Sequence, residues 1–190
     1  MGVMSLFRKG GLRSPHSIWH NGKRVSEILK EHELFTYGKD GGVRADLSGA
    51  KLAGVNFGGA NLAYAKLRGA KLRGASLKEA KLTFADFSKA DLHGADLRRT
   101  DLTETNLSGA DLSEARVNGV ELFRADLSGA NLSGADLTAA NFRLANIHGA
   151  QFRGAIMTTT VLRETDLEGV DLSGLDLSTT LMPKGWKQPA

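Results

Sequence analysis

The chain contains no cysteine among its 190 residues. Disulfide cross-links, thiolate metal sites and thiol nucleophiles are therefore excluded, and the composition suits a reducing compartment. Aromatic residues are also scarce, at 6%. No apolar run approaches the roughly 18 residues of a membrane span, and the apolar part of MGVMSLFRKGG is too short for a secretory signal. Leu6 stands where a myristoylation pattern requires Ser or Thr. A strong excess of one charge is missing too, since 25 Lys and Arg face 21 Asp and Glu, for a net +4. The default expectation from these absences is a soluble, cytoplasmic protein, and the length suits a single domain.

What the sequence does have is a five-residue repeat. From Ala45 it reads ADLSG, AKLAG, VNFGG, ANLAY and onward to LDLST at 175–179, 27 units without an insertion or deletion. If the central apolar residue is i, that position is Leu in 20 units, Phe in four (Phe57, Phe87, Phe142, Phe152), and otherwise Val117, Ile147 or Met157. Position i−2 is Ala in 19 units and Val, Thr or Leu in the rest. Residues two apart share one side of an extended segment, so both point inward. The polar positions i−1, i+1 and i+2 face water. On an α-helix a period of five would spiral the apolar residues round every face, which excludes that structure. Gly recurs at i+2, as in Gly49, Gly54 and Gly69, and supplies the positive φ of a tight turn. Each unit is thus a short extended side followed by a corner, and the unbroken register is that of a solenoid.

Units such as Ala45-Asp46-Leu47-Ser48-Gly49 and Ala130-Asn131-Leu132-Ser133-Gly134 resemble the A(D/N)LXX pattern of the pentapeptide-repeat family. The resemblance implies an all-β solenoid: a right-handed quadrilateral β-helix with four units per coil. Its coils would number about seven, the last completed by Thr180, Leu181 and Met182. At about 4.8 Å per layer this is a rod roughly 30 to 35 Å long.

Residues 1–44 lie outside the repeat and 183–190 form a C-terminal tail, leaving 45–182 as the repeat domain. The first 22 residues, with Gly10, Gly11, Pro15 and Gly22 and no periodicity, read as an irregular or mobile arm. Val25, Ile28, Leu29, His32 and Phe35 then recur at helical spacing before Gly38. This predicts a short amphipathic α-helix over about 26–36, N-capped by Ser26 and covering the unpaired edge of the first coil. At the other end Pro183 cannot continue a ladder. Trp186 is placed to fold back over the last coil.

No catalytic constellation is evident. His16 and His20 stand beside Pro15 without an acidic partner of the HExxH kind and read as ordinary loop residues. His93 and His148 fall at i+1, on the outer wall, as solvated histidines. The GxG-like strings are repeat corners that open no helix. The expectation is a protein that is not an enzyme, with no metal and no cofactor.

Two surface features suggest contacts. Residues 45–89 carry eight Lys or Arg and three Asp or Glu, whereas residues 90–182 carry seven and fourteen, so the rod changes from net +5 to net −7 along its axis. Taking every fourth unit, one face also collects the outward residues Tyr64, Phe84, Phe123, Leu144 and Val161, including all three outward aromatics of the repeat. Aligned exposed apolar groups mark a contact ridge. Residues 1–25 folding over it, self-association as a homodimer, and binding of another protein are the candidate uses.

Function then divides between classes. One is a rigid, non-enzymatic protein–protein interaction scaffold whose partner is unknown. A second follows from the resemblance: members of the family act as DNA mimics toward type II topoisomerases such as DNA gyrase, inhibiting the enzyme or protecting it from quinolones. Here Asp91, Asp96, Asp101, Asp111, Asp126, Asp136, Asp166, Asp171 and Asp176 would supply the acidic surface. Lys51, Lys66, Lys71 and Lys81 depart from that pattern by occupying i−1, and no C-terminal dimerisation helix is visible. Direct nucleic-acid binding through Lys66, Arg68, Lys71, Arg73, Lys78 and Lys81 is disfavoured by the low net charge and the few aromatics nearby.

Overall fold

In each five-residue unit the extended side is too short to pair within itself, so its backbone groups must find partners in another part of the chain. They find them 20 residues away. Parallel bridges join Asp46 to Lys66, Lys66 to Asp86, Asp86 to Asn106 and Asn106 to Asp126, and the other three sides repeat the same step. A step of 20 residues is four units, so each layer of this computed structural model, which describes residues 11–187, has four sides and four corners. The Leu47 N–H donates to the Lys66 carbonyl at 2.7 Å, while the Lys66 N–H donates to the Ala45 carbonyl at 2.9 Å. Side chains at i and i−2 fill the interior: Leu92, Leu112, Leu132, Ala95 and Ala130 are fully buried. Phe142 and Phe152 meet edge to face there at 6.2 Å.

The typical corner is a β-turn closed by the first N–H of the next unit on the carbonyl of i, as from Ala110 to Leu107 at 3.0 Å. Residue i+2 has positive φ, the mark of a type II turn. Gly is suited to that position, yet Tyr64, Glu79, Phe84, Lys89 and Arg124 hold it too, at φ 55 to 66°. Such a residue gives up about 1 kcal/mol or more to Cβ crowding. Its own ladder bond holds it there, as from the Phe84 N–H to the Thr103 carbonyl at 3.1 Å.

Thr at i−2 has a second use. Thr105 and Thr165 are buried, and their hydroxyls donate to the carbonyls of Leu82 and Phe142 in the layer below, at 2.9 and 2.7 Å.

The N-terminal cap is α1, Val25–Thr36. It begins one residue earlier than the pattern predicts, with Arg24 rather than Ser26 at the N-cap, because the Glu27 carboxylate accepts from the Arg24 N–H at 3.1 Å. Gly38, at φ 62°, follows its C-terminus. Val25, Ile28 and His32 are buried against the first coil. His32 Nδ1 accepts from the Ala45 N–H at 3.1 Å, tying helix to repeat. Its Nε2 is buried without a hydrogen-bond partner. Burial holds this imidazole below its ordinary pKa, opposed by the Ala63 carbonyl and assisted by the Arg44 charge.

The described part of the arm, 11–24, is built into the rod. Pro15–Ser17 forms a 3-10 turn, and β1 (Trp19–His20) pairs antiparallel with β2 (Lys23–Arg24) around Asn21 and Gly22, both at positive φ. Arg13 bridges Val55: its N–H donates to the Gly54 carbonyl at 2.7 Å and its carbonyl accepts from the Asn56 N–H at 2.9 Å. This segment therefore acts as a strand of a preceding layer on the Phe57 face. The part of the arm expectation that falls on residues 1–10 lies outside the described residues.

The far end differs from the rest of the rod. Among the described residues the ladder lapses after Asn141 pairs with Val161 and returns only where Val161 pairs with Leu181. Residues 166–178 keep their corner bonds, such as Val170 N–H to Leu167 carbonyl at 3.1 Å, but make no layer-to-layer backbone bonds. A gap lined by Ala150, Gln151, Phe152, Arg153, Asp171 and Ser173 opens there. Trp186 is half-buried, beyond a turn in which its N–H donates to the Pro183 carbonyl at 3.1 Å.

Candidate functional site

The acidic residues at i−1 have a local task. In each of Asp91, Asp96, Asp101, Asp111, Asp126, Asp136, Asp166, Asp171 and Asp176, Oδ1 accepts from the backbone N–H two residues on, at 2.9 to 3.3 Å. Asn56, Asn106, Asn131 and Asn146 do the same through their amide oxygens. This Asx turn is why Asp and Asn interchange there. Sequence reading missed it, although the habit of Ser or Thr following at i+1 is a signal: the Ser113 hydroxyl also donates to Asp111.

The nine carboxylates spread over all four sides. Asp91, Asp111 and Asp171 share one column; Asp126 and Asp166 a second; Asp96, Asp136 and Asp176 a third; Asp101 stands on the fourth. Only Asp166, Asp171 and Asp176 are exposed, all in the layer that has lost its ladder. Asp96 is buried beneath two guanidinium groups, with Arg98 bidentate at 2.8 Å and Arg116 at 2.9 Å. Burial pushes its carboxyl up, but the Arg98 hydrogen bonds and the Arg116 charge outweigh this and hold it below the usual carboxylate range. Asn131 and Asn146 donate to Asp111 and Asp126 from the next layer, each at 3.1 Å.

The ridge residues do share one side of the rod, but they do not form one continuous strip. The rings of Tyr64 and Phe84 stack face to face with centroids 5.0 Å apart, and they remain 46% and 43% exposed. Phe123 is half-buried, with the Arg124 and Arg143 guanidinium groups over its ring at 5.0 and 5.8 Å. Leu144 is exposed and Val161 half-buried. Between the two apolar ends stand Glu104 and Arg124, paired at 3.9 Å. Within the described part of the arm, 11–24, Arg13 pairs on the adjoining Phe57 face.

The basic residues Lys66, Arg68, Lys71, Arg73, Lys78 and Lys81 fall on several sides of the first layers, and Lys66 and Lys78 face Asp46 and Glu79 at 3.8 and 3.4 Å. His20 contacts Asn21, and His93 contacts Ser113 at 2.9 Å. Among the described residues no group of three or more His, Asp or Glu is arranged to hold a metal ion, and no helix is long and apolar enough to cross a membrane. A shallow cleft between α1 and the first coil is lined by His16, Lys30, Glu33, Tyr37, Asn61 and Lys81.

A four-sided β-solenoid whose interior is apolar and whose polar atoms largely serve its own turns defines a repeat-protein class. Its segments 43–79, 80–119 and 121–158 match the family model described as pentapeptide repeats, and the chain belongs to that family. Among solved structures it is similar to the pentapeptide-repeat protein Rfr23 from the cyanobacterium Cyanothece 51142, at 25% identity over 83% of this chain and 98% of that one, with a TM-score of 0.50. It also matches HetL from Nostoc sp. strain PCC 7120, involved in heterocyst differentiation regulation, at 33% identity over 62% of this chain and 72% of that one, TM-score 0.24. QnrB1, a plasmid-mediated fluoroquinolone resistance protein, matches at 26% identity over 69% and 78% of the two chains, TM-score 0.39. A comparison with curated proteins finds no match.

Proposed function

We propose that this pentapeptide-repeat protein is a non-enzymatic, cytoplasmic scaffold: a right-handed rod of about seven coils that binds another protein along its Tyr64–Phe84 corner. The observation that supports this reading is the stacked pair itself, two aromatic rings left exposed beside one another on a rigid wall. Exposed, preorganised aromatics supply contact area at little entropic cost. The test is capture with wild-type bait against a Tyr64→Ser/Phe84→Ser bait of equal far-UV circular dichroism. A partner retained by the first and lost by the second is expected; equal retention overturns the assignment.

The second reading, a DNA-mimic modulator of a type II topoisomerase, draws on the acid-rich half beyond residue 90. The exposed Asp166, Asp171 and Asp176 are its best-placed residues. A DNA gyrase supercoiling assay, with and without a quinolone, tests it: inhibition or protection at micromolar protein is expected, and the absence of both removes this reading.

A further inference from the structure

The corner that carries the aromatic pair is a column of six i+2 residues, one per layer: Tyr64, Phe84, Glu104, Arg124, Leu144 and Glu164. Read from either end, the column complements its own reverse. In an antiparallel pair of rods, Phe84 meets Leu144, Glu104 meets Arg124, and the Tyr64 hydroxyl meets the Glu164 carboxylate. Each contact occurs twice about a two-fold axis between the Glu104 and Arg124 layers. We infer that this corner is an isologous dimer contact, and that its occupant is a second, antiparallel copy of the chain. The inference rests on reading the corner as a contact surface and names the partner that fits it.

The arrangement is self-consistent in charge. Within one chain Glu104 and Arg124 already lie 3.9 Å apart, so the axis would bring two such pairs into a square of alternating sign. Arg124 rests on the Phe123 ring, which orients its guanidinium. A parallel pair would instead set Glu104 against Glu104 and Arg124 against Arg124. The adjoining i−1 column opposes Asp101 to Glu121, but Asp101 is turned to the Thr103 N–H at 3.0 Å and Glu121 accepts from Asn141 at 2.8 Å. Six layers span about 24 Å. One corner of that length falls at the small end of specific interfaces, so dissociation constants on the order of 100 μM are expected.

Sedimentation velocity over about 5 to 500 μM, the range of a weak dimer, tests the contact. Wild type is expected to shift from monomer to dimer, and Glu104→Arg and Arg124→Glu are each expected to stay monomeric because like charges meet twice. An equimolar mixture of these two variants restores every cross-chain pair while leaving both intrachain pairs repulsive, so it should dimerise. No intrachain effect produces that recovery. Because the chain has no native cysteine, orientation is tested by oxidising a mixture of Phe84→Cys and Leu144→Cys, which should cross-link only when both are present. A wild type that stays monomeric, a mixture that does not recover, or Phe84→Cys cross-linking to itself overturns the inference. Partner capture by the wild-type bait is read separately, so the scaffold reading survives or fails on its own.

Discussion

Replacing Leu112 by Asp places a carboxyl in the middle of the rod, where the corresponding residues one layer below and above are Leu92 and Leu132 and every side chain concerned is fully buried. The loss has two parts. Leu burial contributes about 1.5–3 kcal/mol, and an unpartnered polar group in its place costs about 2–7 kcal/mol more. A total near 5 kcal/mol is comparable to the whole stability of an ordinary domain, and it corresponds to a fall of roughly 10–20 °C in Tm at this chain length. Because burial raises the carboxyl's pKa, the penalty is complete above that raised value and is relieved as pH falls through it, when the neutral acid forms. Leu172→Asp provides the control. Leu172 sits in the layer without ladder bonds, 8% exposed, and its loss should fray one end without melting the rod. Thermal unfolding followed by circular dichroism decides the matter: equal Tm values for Leu112→Asp and the parent, or equal losses for the two variants, would refute the layered-core argument.

Acidification below about pH 6.5 should loosen the N-terminal cap, because His32 is buried with a lowered pKa while the unfolded chain takes up the proton at the ordinary value. Stability is therefore complete above pH 6.5 and declines as pH falls toward the depressed folded value; His32→Gln should flatten that slope in urea titrations. In native-state hydrogen exchange, amides of 166–178 that lack layer-to-layer bonds should exchange far sooner than those of 66–141, and uniform protection would contradict the open last layer. Gly129→Ala should cost about 1 kcal/mol, since its φ of 64° penalises a Cβ although nothing lies within 4 Å of that atom. Ala139→Gly, at φ 56°, should be neutral or slightly stabilising in the same melts, its strain relief offset by unfolded-state entropy.

The inward pair i and i−2 was legible because burial acts on both at a period that does not drift over 27 units. The helix was legible from Val25, Ile28 and His32; its first residue was not, since Glu27 reaches back to Arg24 in preference to a Ser26 cap. The docking of Arg13 on Val55 depends on a pairing 42 positions apart that leaves no periodic trace. Residues 167, 172 and 177 follow the repeat as faithfully as any others, yet their sides make no backbone bond to the layer below. Asp at i−1 reads as surface charge in the sequence, whereas in the folded corner its Oδ1 accepts from a turn N–H, as Asn does. The Tyr64–Phe84 stack was visible only as two residues 20 apart.

The 20-residue bridge step makes the rod a ratchet with respect to insertion and deletion. Removing 20 residues takes out one whole layer and leaves every later side chain pointing where it did before. Removing five keeps the interior intact, because any unit can follow any other, but turns everything downstream by a quarter revolution. A five-residue loss between Phe84 and Leu144 would thus leave a rod that melts normally while Leu144 has moved round the corner, out of line with Phe84. Surface geometry in this molecule can be reset in quarter turns without disturbing the packing beneath it.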